Sequence, residues 1–382
     1  MKKKIMVITG TRADYGILHP ILLALKNSNE FELLILVTGM HLSPMHGHTI
    51  DQIISDGFEV TDCVDILLHN PTHGNMAKSI GIGILGMTQA FEKSQPDIVV
   101  VLGDRGEMLA AAIAAAHLNI PVAHLHGGEV SGSIDESVRH AISKFAHIHL
   151  TSTKKSAERL IKMGEDPWRV SVVGAPRVET IVKSDIPSLK EVLNRYDISL
   201  TKKDYYLLIY HPVSNEYCDL EKQIEYIFTV LQKGEKDIIC ISPNSDVGND
   251  RIRKAYMSFR NIDSVHFVES FAPLDYLVVL KECYALVGNS SSGIIEAATF
   301  KKPVINIGSR QNGRERSGNV IDVNATIEEL NKGIEYLESN HFQELLKSVP
   351  NIYGKGNTSQ LVLDIFGEME IDGKLLQKKI TY

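Results

Sequence analysis

Gly288-Asn289-Ser290-Ser291-Ser292-Gly293, followed by Ile294-Ile295-Glu296, joins a short apolar run at 284–287 to a segment of helical pattern. Backbone N–H groups at such a junction are unpaired and point outward, and the helix dipole favours an anion there. The hydroxyls of Ser290 and Ser291 add donors. Glu296, about one turn further on, carries a carboxylate suited to two vicinal hydroxyls such as a ribose diol. Serine is also a preferred helix cap, so this stretch alone fits an ordinary N-terminus equally well. Gly308-Ser309-Arg310-Gln311 and Arg314 follow the apolar run 304–307. A guanidinium forks onto phosphate oxygens, so Arg310 and Arg314 beside the serine turn suit a diphosphate; the alternative is two solvated surface arginines. His211-Pro212 closes another apolar run, where the imidazole can donate to a phosphate or cap the core.

The first half of the chain is richer in proton-transfer groups. Gly103-Asp104-Arg105 follows the run Ile98–Leu102. Asp104 is placed either as a catalytic carboxylate or as the cap of a helix near Glu107. His124-Leu125-His126-Gly127-Gly128-Glu129 and the polar loop through Ser131-Gly132-Ser133 to Asp135, Glu136, Arg139 and His140 crowd the end of another run. His126, Glu129 and Asp135 are candidate acid and base groups. Residues two apart in a strand share a face, so His124, His126 and Glu129 could hold zinc, but no HExxH-like spacing supports a metal and none is expected. His147 and His149 share a face without a partner pattern and read as core or surface residues. Gly10-Thr11-Arg12-Ala13-Asp14-Tyr15-Gly16 resembles a phosphate loop but lacks the GxGxxG and Walker spacings. Arg12 either faces a ligand or pairs with Asp14.

Strands must present all of these groups at their carboxyl ends. Short β-branched runs at Ile5–Ile8, Leu33–Val37, Ile98–Leu102, Val122–Leu125 and Val170–Val173 alternate with helical patterns. This predicts a parallel sheet covered on both faces. A polar stretch at 184–203 interrupts the series and holds a short helix near Leu189–Tyr196. Tyr206–Tyr210, Ile238–Ile241, Val265–Val268, Ala285–Val287 and Val304–Ile307 then repeat the alternation. The expected fold class is α/β, with two doubly wound Rossmann-like domains at 1–183 and 204–370, a linker at 184–203 and a frayed tail at 371–382. Ligands of such sheets bind outside the carboxyl ends of the strands, here in a cleft between the domains.

The length of 382 residues suits two domains. A net charge of −7 argues against a general nucleic-acid binder. The cysteines, Cys63, Cys218, Cys240 and Cys283, show no CxxC spacing and read as buried free thiols of a reducing cytoplasm. No apolar run approaches the length of a signal peptide or membrane span, so no membrane partner is expected.

Gly10–Tyr15, Thr38-Gly39-Met40-His41-Leu42, Gly103–Arg105, His126–Glu129, Arg139-His140-Ala141-Ile142, His211-Pro212, Gly288–Ser291 and Arg310-Gln311 occur in this order. As an ordered set over about residues 4 to 370, they resemble the hydrolysing UDP-N-acetylglucosamine 2-epimerases of bacterial sialic acid synthesis. The resemblance implies a glycosyltransferase-B-like fold and a UDP-sugar substrate, with no nicotinamide or other cofactor and a homodimer or higher homo-oligomer. It also implies anti elimination of UDP from UDP-GlcNAc to a 2-acetamidoglucal, then hydration to N-acetylmannosamine. Asp104 and Asp135 match catalytic acids of the family. Arg12, His211, Ser290, Ser291, Glu296 and Arg310 match its nucleotide-binding positions. Ile17 stands where non-hydrolysing members carry lysine. His126 stands where several members carry glutamate, so the acid/base task falls to His126 or Glu129. The histidine version also resembles legionaminic acid enzymes acting on UDP-2,4-diacetamido-6-deoxy-glucose (UDP-N,N'-diacetylbacillosamine), which is the alternative substrate. A glycosyltransferase is the second alternative, because the fold is shared.

Overall fold

Strand β1 (Lys3–Thr9) is buried along most of its length, and its alternate residues enter different cores. Ile5 and Val7 pack on one face of the sheet, Met6 and Ile8 on the other. Such a strand needs helices on both sides, which parallel crossovers supply. In this computed structural model, residues 2–68, 72–130, 134–213, 219–243 and 249–381 are described. Ser131–Ser133 and Cys218 lie outside the described residues.

The chain divides into two compact units, residues 1–180 with 353–382 and residues 181–352. In the first unit β1 is joined by β2 (Phe31–Thr38), β3 (Asp62–Val64), β4 (Ile98–Leu102), β5 (Val122–Leu125), β6 (Ile148–Thr151) and β7 (Val170–Val172). The order is β3-β2-β1-β4-β5-β6-β7, with every pair parallel. The second unit holds β8 (Tyr205–Ile209), β9 (Asp237–Ile241), β10 (Val265–Val268), β11 (Ala285–Gly288), β12 (Val304–Ile307) and β13 (Val320–Val323). Its order is β10-β9-β8-β11-β12-β13, again all parallel. Tyr206 and Leu208 face one core of this unit and Leu207 and Ile209 the other. Both units are Rossmann-like, and each sheet reverses its order once, between β1 and β4 and between β8 and β11. Crevices at such switch points receive ligands.

Two expected boundaries move. The segment 184–203 is no free linker. Its helix Leu189–Arg195 starts on a Ser188–Glu191 capping box, buries Val192 in the second core and pairs Arg195 with the buried Asp275. The C-terminal segment does not stay with the second domain. The helix Thr358–Glu368 buries Val362 and Phe366 in the core that holds Ile5 and Leu18, and Leu375 of the supposed tail joins them. An apolar helix face goes where uncovered apolar surface remains, and here that surface belongs to the first sheet. Cys240 and Cys283 are buried as expected, but Cys63 is exposed, because β3 is a sheet edge. Among the described residues no helix is long and apolar enough to cross a membrane.

Candidate active site

At the first switch point, β4 is followed by Gly103, whose φ of 73° turns the chain so that Asp104 leaves the sheet. Asp104 is not the cap of the following helix; Arg105 occupies that position without a side-chain cap bond. The Asp104 carboxylate is instead paired with Arg139. Arg139 is buried on the helix Ile134–Phe145 and also donates to the Glu129 carbonyl oxygen at 3.0 Å. Burial pushes the Asp104 pKa up, Arg139 pulls it down, and the carboxylates of Asp135 and Glu129 push it up again, leaving it raised. The structure therefore brings Asp104, Glu129 and Asp135 within electrostatic reach of one another. Asp135, in the first turn of that helix, is exposed.

His126 follows β5 in the left-handed region, at φ 62°, a conformation uncommon for a non-glycine residue. Its Nδ1 lies 3.0 Å from Glu129 Oε1. A carboxylate only accepts, so Nδ1 carries a proton, and in the neutral ring Nε2 presents its lone pair. Nε2 is buried and has no hydrogen-bond partner among the described residues. Glu129 Oε1 also accepts from the Ser152 hydroxyl at 2.8 Å, which fixes the carboxylate that fixes the ring. Gly128 makes this turn possible: at φ 76° a Cβ would sit 2.3 Å from the Ser156 carbonyl oxygen.

The shared-face zinc arrangement does not form. His124 is fully buried, with Nε2 2.7 Å from the Gly103 carbonyl oxygen and Nδ1 facing the Ser143 hydroxyl at 3.2 Å. Burial holds its pKa down to about 3, so it is a neutral strut beneath Asp104. His147 and His149 are core residues: His147 Nδ1 accepts from the Val122 N–H, and His149 pairs with Glu165. Arg12 stands exposed at the start of its helix, and the charges acting on Asp14 are those of Arg105 and Glu107. Burial dominates at Asp14 and raises its pKa to about 6.

The second switch point is built from backbone and amides. Gly288, at φ 133°, lies so close to β8 that a Cβ would meet the Ile209 carbonyl oxygen at 2.0 Å. Asn289 is fully buried. Its side chain accepts from the His211 N–H at 2.7 Å and donates to the His211 carbonyl oxygen at 2.8 Å. Its own carbonyl oxygen accepts from Arg310 Nη1 at 3.1 Å and Gln311 Nε2 at 2.8 Å. One asparagine thus ties together the ends of β8, β11 and β12, which carry His211, Ser290 and Arg310. Ser290 is the cap of the helix Ser291–Ile295, accepting from the Ser292 N–H. That helix is shorter than the sequence pattern suggests. It ends at Glu296, half-buried, and continues as a 3-10 turn, Ala297–Phe300. Ser291 and His211 are half-buried.

A model of the UDP-N-acetylglucosamine 2-epimerase family matches residues 23–367. The chain belongs to this family. The chain is 43% identical, over an alignment of 383 positions that covers all of both chains, to the Legionella pneumophila UDP-N,N'-diacetylbacillosamine 2-epimerase (hydrolyzing). It is 35% identical to a UDP-N-acetylglucosamine 2-epimerase of Neisseria meningitidis serogroup B, over 84% of this chain and 83% of that one. The crystal structure of UDP-GlcNAc 2-epimerase from Neisseria meningitidis bound to UDP-GlcNAc shares its fold, with a TM-score of 0.79 at 19% identity over 96% of this chain and 100% of that one. The fold of the chain is accordingly glycosyltransferase-B-like, two Rossmann-like parallel-sheet domains.

Arg139, Asn289 and Ser152 are among the site residues to which motif reading assigned no role. A polar residue directly after an apolar strand and its glycine is the only sequence trace of Asn289. Ser152 leaves none, because it meets Glu129 only through the pairing of β5 with β6.

Proposed function

We propose that this protein is a hydrolysing UDP-sugar 2-epimerase in which His126 is the base that removes the C2 proton. The observation that carries this reading is the His126 ring, with Nδ1 committed to Glu129 and a buried, unpartnered Nε2. Glu129 orients the ring and stabilises the imidazolium that forms, as a carboxylate does behind a catalytic histidine. The turns bearing His211, Ser290, Ser291 and Arg310 bind the diphosphate, Arg12 adds a further cation, and Glu296 takes the ribose hydroxyls. As Nε2 takes the proton from C2, the anomeric C–O bond breaks and UDP departs, leaving a 2-acetamidoglucal. Asp104, whose pKa is raised by burial and by Asp135, returns a proton to C2 from the opposite face. Water adds its oxygen at C1, its displaced proton recharges Asp104, and the imidazolium proton leaves to solvent.

The greater likeness to the enzyme named for UDP-N,N'-diacetylbacillosamine supports the 2,4-diacetamido-6-deoxy sugar over UDP-GlcNAc, which the motifs alone put first. Turnover of each sugar in D2O tests both claims. The released sugar is expected to carry deuterium at C2 in the manno configuration, with the larger kcat/KM for the diacetamido sugar. A product of gluco configuration still fully protonated at C2 would mean donor hydrolysis by a glycosyltransferase. A larger kcat/KM for UDP-GlcNAc would overturn the choice of sugar.

A further inference from the structure

We propose that the C-terminal tail, through Lys378, is a positioning device for the helix that carries Arg139 and Asp135. The proposal rests on the epimerase reading only for its kinetic consequence. The helix Ile134–Phe145 ends with carbonyl groups that have no partner within the helix. Lys378 Nζ donates to three carbonyl oxygens at this end, Ser143 at 2.8 Å, Lys144 at 3.1 Å and Ala146 at 2.7 Å. It also pairs with the buried carboxylate of Glu165 at 2.6 Å, beside His149 and Lys144. A cation here complements the negative end of the helix dipole.

The tail that delivers Lys378 is itself held. Arg169, 1% exposed, donates to the Lys374 and Leu375 carbonyl oxygens, and Leu375 is buried in the core. The Thr381 N–H reaches the Gly164 carbonyl oxygen at 3.2 Å.

From the capped end, bonds lead back to the proposed chemistry. Ser143 faces His124, and His124 supports the Gly103 carbonyl one residue before Asp104. One turn earlier Arg139 holds Asp104 and the Glu129 backbone. Lys378 touches none of the reacting groups, so its effect passes through the helix.

The same molecule supplies a matched control. Lys3 Nζ caps a different helix, Thr358–Glu368, by donating to the Phe366, Gly367 and Met369 carbonyl oxygens at 2.7, 3.1 and 2.6 Å. That helix carries none of the proposed site residues. Lys378→Met, Lys378→Arg and Lys3→Met are compared in the full chain by thermal melting, UDP calorimetry, steady-state kinetics and amide hydrogen exchange. Lys378→Met is expected to lower kcat on the order of tenfold, to leave KM and the UDP Kd within about twofold, and to speed exchange across 134–146. Lys378→Arg should restore most of kcat. Lys3→Met should lose comparable thermal stability and keep its kcat. Should Lys378→Met not fold, Lys378→Gln, which still donates but lacks the charge, is read in the same way. A wild-type kcat in Lys378→Met, or an equal kcat loss in Lys3→Met at equal melting temperature, overturns the positioning role. If the wild-type protein turns over no UDP-sugar, the functional reading falls. The exchange data then decide the clamp, and unchanged exchange across 134–146 in Lys378→Met overturns it.

Discussion

The two switch points share a topology and differ in what holds them together. At the first, ionisable side chains hold one another: Arg139 binds Asp104, and Glu129 binds His126. At the second, amides hold backbone: Asn289 brackets His211, while Arg310 and Gln311 bind the Asn289 carbonyl. The difference follows from the work each end can do. Moving a proton requires groups that gain and lose one readily, and burial and neighbouring charges tune such groups. Holding an anion requires donors that stay in place and stay protonated, which backbone, serine and arginine do at any physiological pH. The first unit should therefore respond to pH and the second to the loss of individual donors.

Acid gives the largest separation between them. Burial depresses His41 and His147 to about 4 and His124 to about 3, from an ordinary value of 6.5. All three lie in the first unit. A depressed imidazole contributes stability above pH 6.5 and loses it as pH falls toward the folded value, because the unfolded chain takes the proton first. Each should cost roughly 1.4 kcal/mol per pH unit in that window. Asp14 works in the opposite direction, since its pKa is raised to about 6 and its share of stability is lost as pH rises from 3.8 to 6. With His140 and His149, which burial also depresses, five imidazoles outweigh the two raised carboxyls, Asp14 and Asp104. The chain's one tryptophan, Trp168, belongs to the first unit, so its fluorescence should report unfolding between pH 6.5 and 4 before amide exchange rises across 205–323. Simultaneous loss in both units would break the contrast.

Next in size is the chemistry. His126→Ala and Asp104→Asn should each lower turnover by at least ~100-fold, the scale of a lost acid–base group. Calorimetry should find their UDP affinity unchanged. A parallel fall in UDP affinity would show that the division of labour between the switch points is false.

Smaller effects are expected at the second switch point. Arg310→Ala should weaken UDP binding by about 1.5–3 kcal/mol, as for a lost charge-assisted contact, and Ser290→Ala by about 0.5–1.5 kcal/mol, as for a neutral one. Neither should shift the pH–rate profile. A profile shift in either variant would place proton handling in the second unit as well.

Much of the fold was legible in the sequence. Central strands such as Ile98–Leu102 and Tyr205–Ile209 are unbroken apolar runs because both of their faces are buried, and such runs mark their own ends. Asp62–Val64 and Val320–Val323 went unread, because edge strands are short and carry aspartates toward solvent. The motifs placed the candidate residues at strand ends, yet they offered Asp104 as a cap and His124 as a ligand. Both ideas failed for one reason: the partners of these side chains come from other elements, Arg139 for Asp104 and Ser143 for His124.

The sequence by itself determined the family, the two parallel sheets and the residue types available for proton transfer and anion binding. Composition and order suffice for these, because apolar periodicity and motif spacing are local properties. Only the tertiary structure decided which nitrogen of His126 is bare, that burial and neighbouring carboxylates raise the Asp104 pKa, and that the C-terminal helix and tail complete the first unit. Tautomer and pKa depend on burial and on partners within a few ångströms. Here those partners arrive from 35 residues away for Asp104 and from 235 residues away for the helix end that Lys378 caps.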